Sequence, residues 1–293
     1  MKLTLLGTGT PSADPLRRGP SQVIEKGNDL VLVDAGAGSL HRLVEAGYMR
    51  AVLGAGGPQP RLRRILFTHL HSDHCTGLAD ILWFGWIGNL WDEPPVISGP
   101  PGTADFIRYL LLAYDYDIRV RSAGGEPGMQ RHRLEPRVEE LEEGSAFETN
   151  GLRMSAFRVE HDPCDQAFGY RIEDGSSALV ISGDTSYSEN LVRHAQDADL
   201  LVHEVYWSRG FERTLSSPET LESRKNRVRF VQNYHTGSDE LGRIASKTNA
   251  RQLIMSHLIM AGARPADLLA DVESTYKGKT TVGEDLMTFE LAK

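Results

Sequence analysis

The segment Thr68-His69-Leu70-His71-Ser72-Asp73-His74 places three imidazoles and one carboxylate within six positions, directly after the apolar run Ile65-Leu66-Phe67. The chain has ten histidines in 293 residues, so three in one heptapeptide is a concentration that packing does not explain. Imidazole nitrogen and carboxylate oxygen are the donors that borderline cations such as zinc prefer. If the strand through Phe67 stays extended, side chains two apart share a face, and His69 and His71 point together at one ion. Asp73 and His74 follow where the chain turns, and adjacent residues project differently, so they suit a second ion beside the first. The HExxH device works instead by a helical spacing of four.

Further donors each follow a strand-like run. His161 comes after Phe157-Arg158-Val159-Glu160, Asp184 after Ala178-Leu179-Val180-Ile181-Ser182-Gly183, and His257 after Gln252-Leu253-Ile254-Met255-Ser256. Strand ends that face one sheet edge can converge although they are distant in sequence. Added to the heptapeptide, they give His69, His71 and His161 for one ion and Asp73, His74 and His257 for the other, with Asp184 bridging. Two cations about 3.5–4 Å apart repel unless anions lie between them, and Asp184 with a shared hydroxide meets that need. Water held by such ions is acidified toward neutrality and becomes a nucleophile, so hydrolysis is the natural chemistry. Two zinc ions are expected, with manganese or iron as alternatives. Iron would open redox chemistry, but no flavin-binding domain accompanies the site.

Those side chains need elements to position them. Residues 2–6 read as a first strand, and 21–26 with 29–33 as a hairpin around Gly27-Asn28. Asp34-Ala35-Gly36-Ala37-Gly38 reads as a glycine-rich turn, after which Ser39 caps a helix to Ala46. A buried strand over 64–67 leads into the histidine loop. Helices are expected over 78–91, 103–114, 187–195, 238–247 and 265–275. Further strands fall over 96–98, 145–149, 152–159, 167–173, 178–182, 199–204, 252–256 and 285–291. Residues 122–130 read as a loop, and 206–234 as a long polar excursion. Strands cluster, helices intervene, and the pattern recurs, which suits an α/β arrangement of two sheets with helices outside.

Composition narrows the classes. An apolar content of 40% and a charged content of 25% are ordinary for a globular chain. A net charge of −8 gives no footprint for a dedicated nucleic-acid binder. Only two cysteines, Cys75 and Cys164, imply no disulfide framework, and a cytoplasmic setting is expected. No run reaches the roughly 18 apolar residues of a membrane span, so no membrane partner is expected.

Taken together, Asp34, the HxHxDH motif, His161, Asp184 within Ser182-Gly183-Asp184-Thr185, and His257 resemble the metallo-β-lactamase superfamily over nearly the whole chain. The resemblance implies a four-layer αβ/βα sandwich, two mixed sheets with helices outside, forming a single hydrolase domain over 1–293. It also implies that Asp34 orients metal-bound histidines rather than binding metal. Leu201-Val202-His203-Glu204 and the downstream Tyr234-His235-Thr236 are similar to the ribonuclease Z group. By that resemblance Glu204 holds His235, and His235 gives a proton to the leaving oxygen. Asp73 joins them as a catalytic candidate beside its ligand role. His203 is expected to support structure, and His41, His132 and His194 to lie outside the pattern.

Ribonuclease Z enzymes insert a glycine- and proline-rich arm near the Ser-Gly-Asp-Thr strand, and only nine residues separate Tyr170 from Val180 here. The chain therefore looks closer to armless relatives of the arylsulfatase or phosphodiesterase type. The expected activity is dinuclear-metal hydrolysis of a small anionic phosphodiester or sulfate ester, with tRNA an unlikely partner. The alternatives are tRNA 3′ processing, a lactonase or β-lactamase-type hydrolase, and an inactive metal-binding module. Residues 206–234 read as a lid or binding loop, with Trp207, Arg209 and Phe211 as substrate contacts. The aromatic run over 83–91 reads as core packing, a pocket wall or a dimer contact. A homodimer is implied by the resemblance alone.

Overall fold

Strands that are buried on both faces read as near-continuous apolar runs rather than alternating ones, and the runs singled out above behave that way. The structure is a computed structural model that describes residues 1–49, 60–124, 129–210 and 221–291. By its internal contacts the chain divides into two units. The first comprises Met1–Gly7, Ala13–Glu142 and Asp285–Glu290, and the second Thr8–Ser12, Glu143–Glu284 and Leu291–Lys293.

The first unit is built on seven strands: β1 (Lys2–Gly7), β2 (Ser21–Lys26), β3 (Asp29–Val33), β4 (Arg61–Leu66), β5 (Val96–Gly99), β6 (Val138–Glu140) and β14 (Thr288–Glu290). Their order is β14-β1-β2-β3-β4-β5-β6. The pairs from β14 to β3 are antiparallel and those from β3 to β6 parallel, so the sheet is mixed. The β2–β3 hairpin turns at Gly27, whose φ of 60° is easy only for glycine. On one face Leu30, Leu32, Ile65, Phe67 and Ile97 pack with Leu43 of α1 (Ser39–Glu45), Ile81, Leu82 and Trp86 of α3 (Leu78–Ile87), and Ile107 of α4 (Thr103–Ala113). The opposite face, with Leu5, Ile24, Val31, Val33 and Leu66, is buried as well. Between α1 and α3 lies the four-residue helix α2 (Ser72–Cys75), and α5 (Asp115–Ala123) follows α4.

The second unit is the mirror case. Its strands are β7 (Ala146–Thr149), β8 (Leu152–Arg158), β9 (Phe168–Asp174), β10 (Ser177–Ile181), β11 (Leu200–Tyr206), β12 (Gln252–Ile259) and β13 (Lys279–Val282). The order is β13-β12-β11-β10-β9-β8-β7, parallel from β13 to β10 and antiparallel from β10 to β7. Among its described helices are α6 (Glu189–His194), α7 (Leu221–Tyr234), α8 (Ser238–Thr248) and α9 (Pro265–Glu273). Leu191 of α6, Leu241 and Ile244 of α8, and Leu268 and Val272 of α9 pack on Val180, Leu201, Leu253 and Met255. Each unit is thus a mixed sheet flanked by helices, matching the two halves of the expected αβ/βα architecture.

Several boundaries differ from the sequence reading. Ser39, expected as a cap, is the first helical residue, and Gly38 takes the cap position in a left-handed conformation at φ 83°. The excursion over 206–234 contains the fourteen-residue helix α7. It escaped notice because its sequence, LESRKNRVRFVQNY, carries no apolar stripe of the kind α8 shows at Leu241, Ile244, Ala245 and Thr248. The aromatic run after the histidine loop belongs to the core: Trp86 is buried, and Trp83, Phe84 and Trp91 pack against the first unit's apolar cluster. Among the described residues no helix is long and apolar enough to cross a membrane.

Candidate functional site

In the first unit the donors gather around Asp34. This buried residue directly follows β3 with φ 57°, a left-handed conformation that non-glycine residues rarely hold and that clusters at functional turns. Its Oδ1 accepts the Thr68 N–H and its Oδ2 the Thr68 hydroxyl, both at 2.8 Å. Oδ2 also lies 2.9 Å from Nδ1 of His74. A carboxylate only accepts, so His74 carries its proton on Nδ1 and offers the Nε2 lone pair. The Thr68 proton is committed to Asp34, so its oxygen accepts from Nδ1 of His69 at 3.1 Å, which puts His69 in the same tautomer. One aspartate therefore sets two imidazoles, one directly and one through Thr68, as outer partners of metal ligands do.

His69 lies at the centre of the cluster, its ring centroid 4.5 Å from that of His71 and 4.1 Å from that of His74. Asp73 Oδ2 is 3.7 Å from Nε2 of His74. Strand β4 ends at Leu66, so His69 lies in the loop beyond it, while His71 stands just before α2 and Asp73 and His74 lie on it. The glycine-rich turn lets the backbone run beneath this loop. Ala35 donates to the His74 carbonyl at 2.7 Å, and a Cβ on Gly36 would sit 2.6 Å from the Asp73 carbonyl oxygen. Burial pushes the Cys75 thiol up to about 11, so it is an inert neighbour.

The second unit contributes donors of its own. The Tyr234 carbonyl can only accept, so at 2.8 Å it fixes the proton of His161 on Nδ1 and leaves Nε2 as the donor atom. His257 was expected just past the end of its strand, but β12 runs on to Ile259. Glu204 pairs with Ser256 and Val205 with Leu258, so His257 is the extra residue of a bulge, with φ 45°. Bulges re-aim side chains, and this one brings Nε2 of His257 within 3.3 Å of Asp184 Oδ2. Asp184, His235 and His257 present ligand-type atoms within 4.8 Å of one another.

Glu204 and His235 meet as the resemblance implied. Glu204 Oε1 accepts the N–H groups of Thr185 at 3.2 Å and Thr236 at 2.8 Å, and its Oε2 lies 3.3 Å from Nδ1 of His235. The carboxylate is anchored by backbone on one oxygen and faces the imidazole with the other. Sequence reasoning missed these holders, Thr185 and Thr236, and also Thr68. Each is a threonine directly beside a named site residue, which was the available signal. His203 is wholly buried, its Nδ1 2.7 Å from the Glu204 carbonyl, and desolvation pushes its pKa down, in keeping with a structural role. His194 stacks on Phe157 at 4.5 Å and stays outside the cluster.

The expected substrate contacts fare differently. Arg209, though 68% exposed, is committed to the buried Asp271 at 2.8 Å, so it serves the fold of the segment rather than an anion. Trp207 is half-buried against the second unit's core. Phe211 lies outside the described residues.

Comparison with known proteins agrees with the architecture. The model of the β-lactamase superfamily domain matches residues 30–258. The chain is 32% identical to a ribonuclease Z of Mycobacterium bovis (strain BCG / Pasteur 1173P2) over 296 residues, which cover 99% of this chain and 98% of the relative. A metallo-β-lactamase fold protein of Bacillus subtilis superposes with a TM-score of 0.70 at 18% identity, covering 98% of both chains. The short form of human tRNase Z superposes with a TM-score of 0.67 at 20% identity, covering 100% of both. The clustered histidine and aspartate sets on this fold are those of a metal-dependent hydrolase, and are consistent with two metal ions and a phosphodiester-type substrate. The chain belongs to the metallo-β-lactamase superfamily, in its ribonuclease Z-like branch.

Proposed function

We propose that the chain hydrolyses phosphodiesters, and sulfate esters more slowly, with two zinc ions. His69, His71 and His161 take one ion, Asp73, His74 and His257 the other, and Asp184 lies between them. The donor chemistry supports this, since imidazoles locked to present Nε2 together with carboxylates suit zinc. Ions held this way supply an acidified water and polarise the phosphoryl oxygens. A single hydrolase domain over 1–293 is part of the same reading. Two free cysteines fit a cytoplasmic setting. A homodimer is part of the same reading.

The observation that carries the choice of ester is the Glu204–His235 pair. A phosphodiester expels an alkoxide, and an imidazolium that protonates the departing oxygen lowers that barrier, whereas opening a lactone asks less of the leaving group. Glu204 stabilises the imidazolium through Nδ1 and leaves Nε2 to deliver the proton. The zinc-loaded chain should cleave bis(p-nitrophenyl) phosphate faster than p-nitrophenyl sulfate or lactones. His235→Ala should cut kcat by about 10²–10⁴-fold with metal content unchanged. Loaded protein that turns over none of these esters, or an H235A variant with full activity, would sink the proposal.

A second reading, tRNA 3′ processing, is favoured by the whole-length match to a mycobacterial ribonuclease Z. The short β9–β10 connection gives no ground for setting the two apart, because that alignment leaves only a few residues for any insertion in the relative. Cleavage of a precursor tRNA at its 3′ end by the loaded chain separates this reading from small-molecule diester hydrolysis.

A further inference from the structure

The helix that ends beside His161 carries an aromatic pair with no part in the cluster itself. Phe230 and Tyr234 are four apart on α7, so they share a face. Their ring centroids are 4.0 Å apart with planes inclined by 31°. Tyr234 then meets the His161 ring edge-on at 5.1 Å, while its carbonyl holds the same imidazole at 2.8 Å. The catalytic candidate His235 follows directly, its ring 6.3 Å from that of Tyr234. The pair is therefore tied to the reacting groups by a hydrogen bond and a ring contact. Phe230 keeps 55% of its surface in water, so its outer face is open to a ligand ring. Lys225 and Arg229, also four apart and both exposed, form the neighbouring row of the helix.

We propose that Phe230 and Tyr234 form a stacking platform that selects esters carrying a flat aromatic group, aryl or nucleobase, on one of the two alcohols. The inference rests on the esterase reading above and adds the substrate class to it. A ring laid on this pair lies beside the imidazoles of His161 and His235, which Tyr234 meets at 5.1 and 6.3 Å. The cationic row beside it favours anionic substituents further along the same alcohol. Stacking tolerates any flat ring, so the platform sets a class and not a single base.

The test is calorimetric titration of the zinc-loaded protein with three phosphomonoesters, the products of such a reaction: methyl phosphate, phenyl phosphate and thymidine 5′-monophosphate. The aromatic monoesters should bind about tenfold more tightly than methyl phosphate, the scale of one base–aromatic stack. Phe230→Ala should remove that preference and leave methyl phosphate binding unchanged, while Phe230→Trp should retain it. A preference shared by phenyl phosphate and thymidine 5′-monophosphate assigns an aryl site, and one limited to the nucleotide assigns a nucleobase site. Equal affinity of all three for the native protein, or an equal loss of all three in F230A, overturns the platform. Binding is read without turnover, so the esterase reading fails separately, through absence of diester hydrolysis. Phe230 is surface-exposed, and an unchanged thermal midpoint checks that F230A is folded.

Discussion

At the scale of single residues, Asp34 has the widest reach. It touches no substrate, yet it fixes the tautomer of His74 directly and of His69 through Thr68. Outer partners of this kind commonly set metal affinity by about 10–100-fold. Asp34→Ala should therefore weaken zinc binding by that order in a competition titration, whereas Asp34→Asn, which keeps an acceptor for Thr68, should lose less. Equal zinc affinity in D34A and the native chain would remove Asp34 from the site. The HxHxDH spacing made the ligand types legible, since extended and turning backbone present side chains differently. Their orientation was not legible, because it depends on acceptors far away in sequence: Asp34 for His74 and the Tyr234 carbonyl for His161. The Cys75 thiol, pushed up to about 11 by burial, should stay unlabelled by a thiol reagent at pH 8 until the chain unfolds.

At the scale of elements, strands with strong apolar runs could be read from sequence and polar helices could not. Strands β1–β3, β5 and β7–β11 were placed within a residue or two, most of them on continuous buried runs, whereas β6 and β13, half-buried and partly exposed, were not read. Helix α7 and the extension of β12 through the His257 bulge went unread, since one lacks an apolar stripe and the other is set by its pairing with β11. By alternation along β11, His203 shares the face of Leu201 and Val205, which lie in the helix-packed core. Burial depresses its pKa in the folded chain, so below the ordinary value of 6.5 the unfolded chain binds the proton that the folded chain refuses. Its contribution to stability is whole above that pH and is lost as pH falls beneath it. The urea midpoint of the native metal-free chain should drop between pH 7.5 and 5.5 more steeply than that of His203→Phe. Parallel curves for the two would show that His203 does not titrate on unfolding. Asp271 on α9 joins Arg209, near the start of the 206–234 segment, to Ser238, at the start of α8. Asp271→Ala leaves both without this acceptor and should cost about 1–3 kcal/mol of stability in the same assay.

At the scale of the whole molecule, the apolar surface asks for a partner. Tyr109 and Leu112 of α4, with Tyr116 and Val120 of α5, are 54–75% exposed. Scattered apolar side chains on a surface need no explanation, whereas four on two consecutive helices offer a candidate face for a partner. The homodimer implied by the ribonuclease Z-like resemblance supplies an occupant of matching chemistry, since a symmetric interface sets a patch against its own copy. A stable dimer buries about 800 Å² from each partner, a demand that two short helices and their flanks can meet. Sedimentation at micromolar concentration should therefore give a species twice the 32.4 kDa of one chain. Leu112→Glu combined with Tyr116→Glu sets like charges against each other across the two-fold and should yield a monomer with an unchanged far-ultraviolet spectrum. Zinc content should survive the change, because neither residue belongs to either ligand set. A native chain that sediments as a monomer would overturn the dimer, and a doubly substituted chain that remains dimeric would move the interface away from α4 and α5.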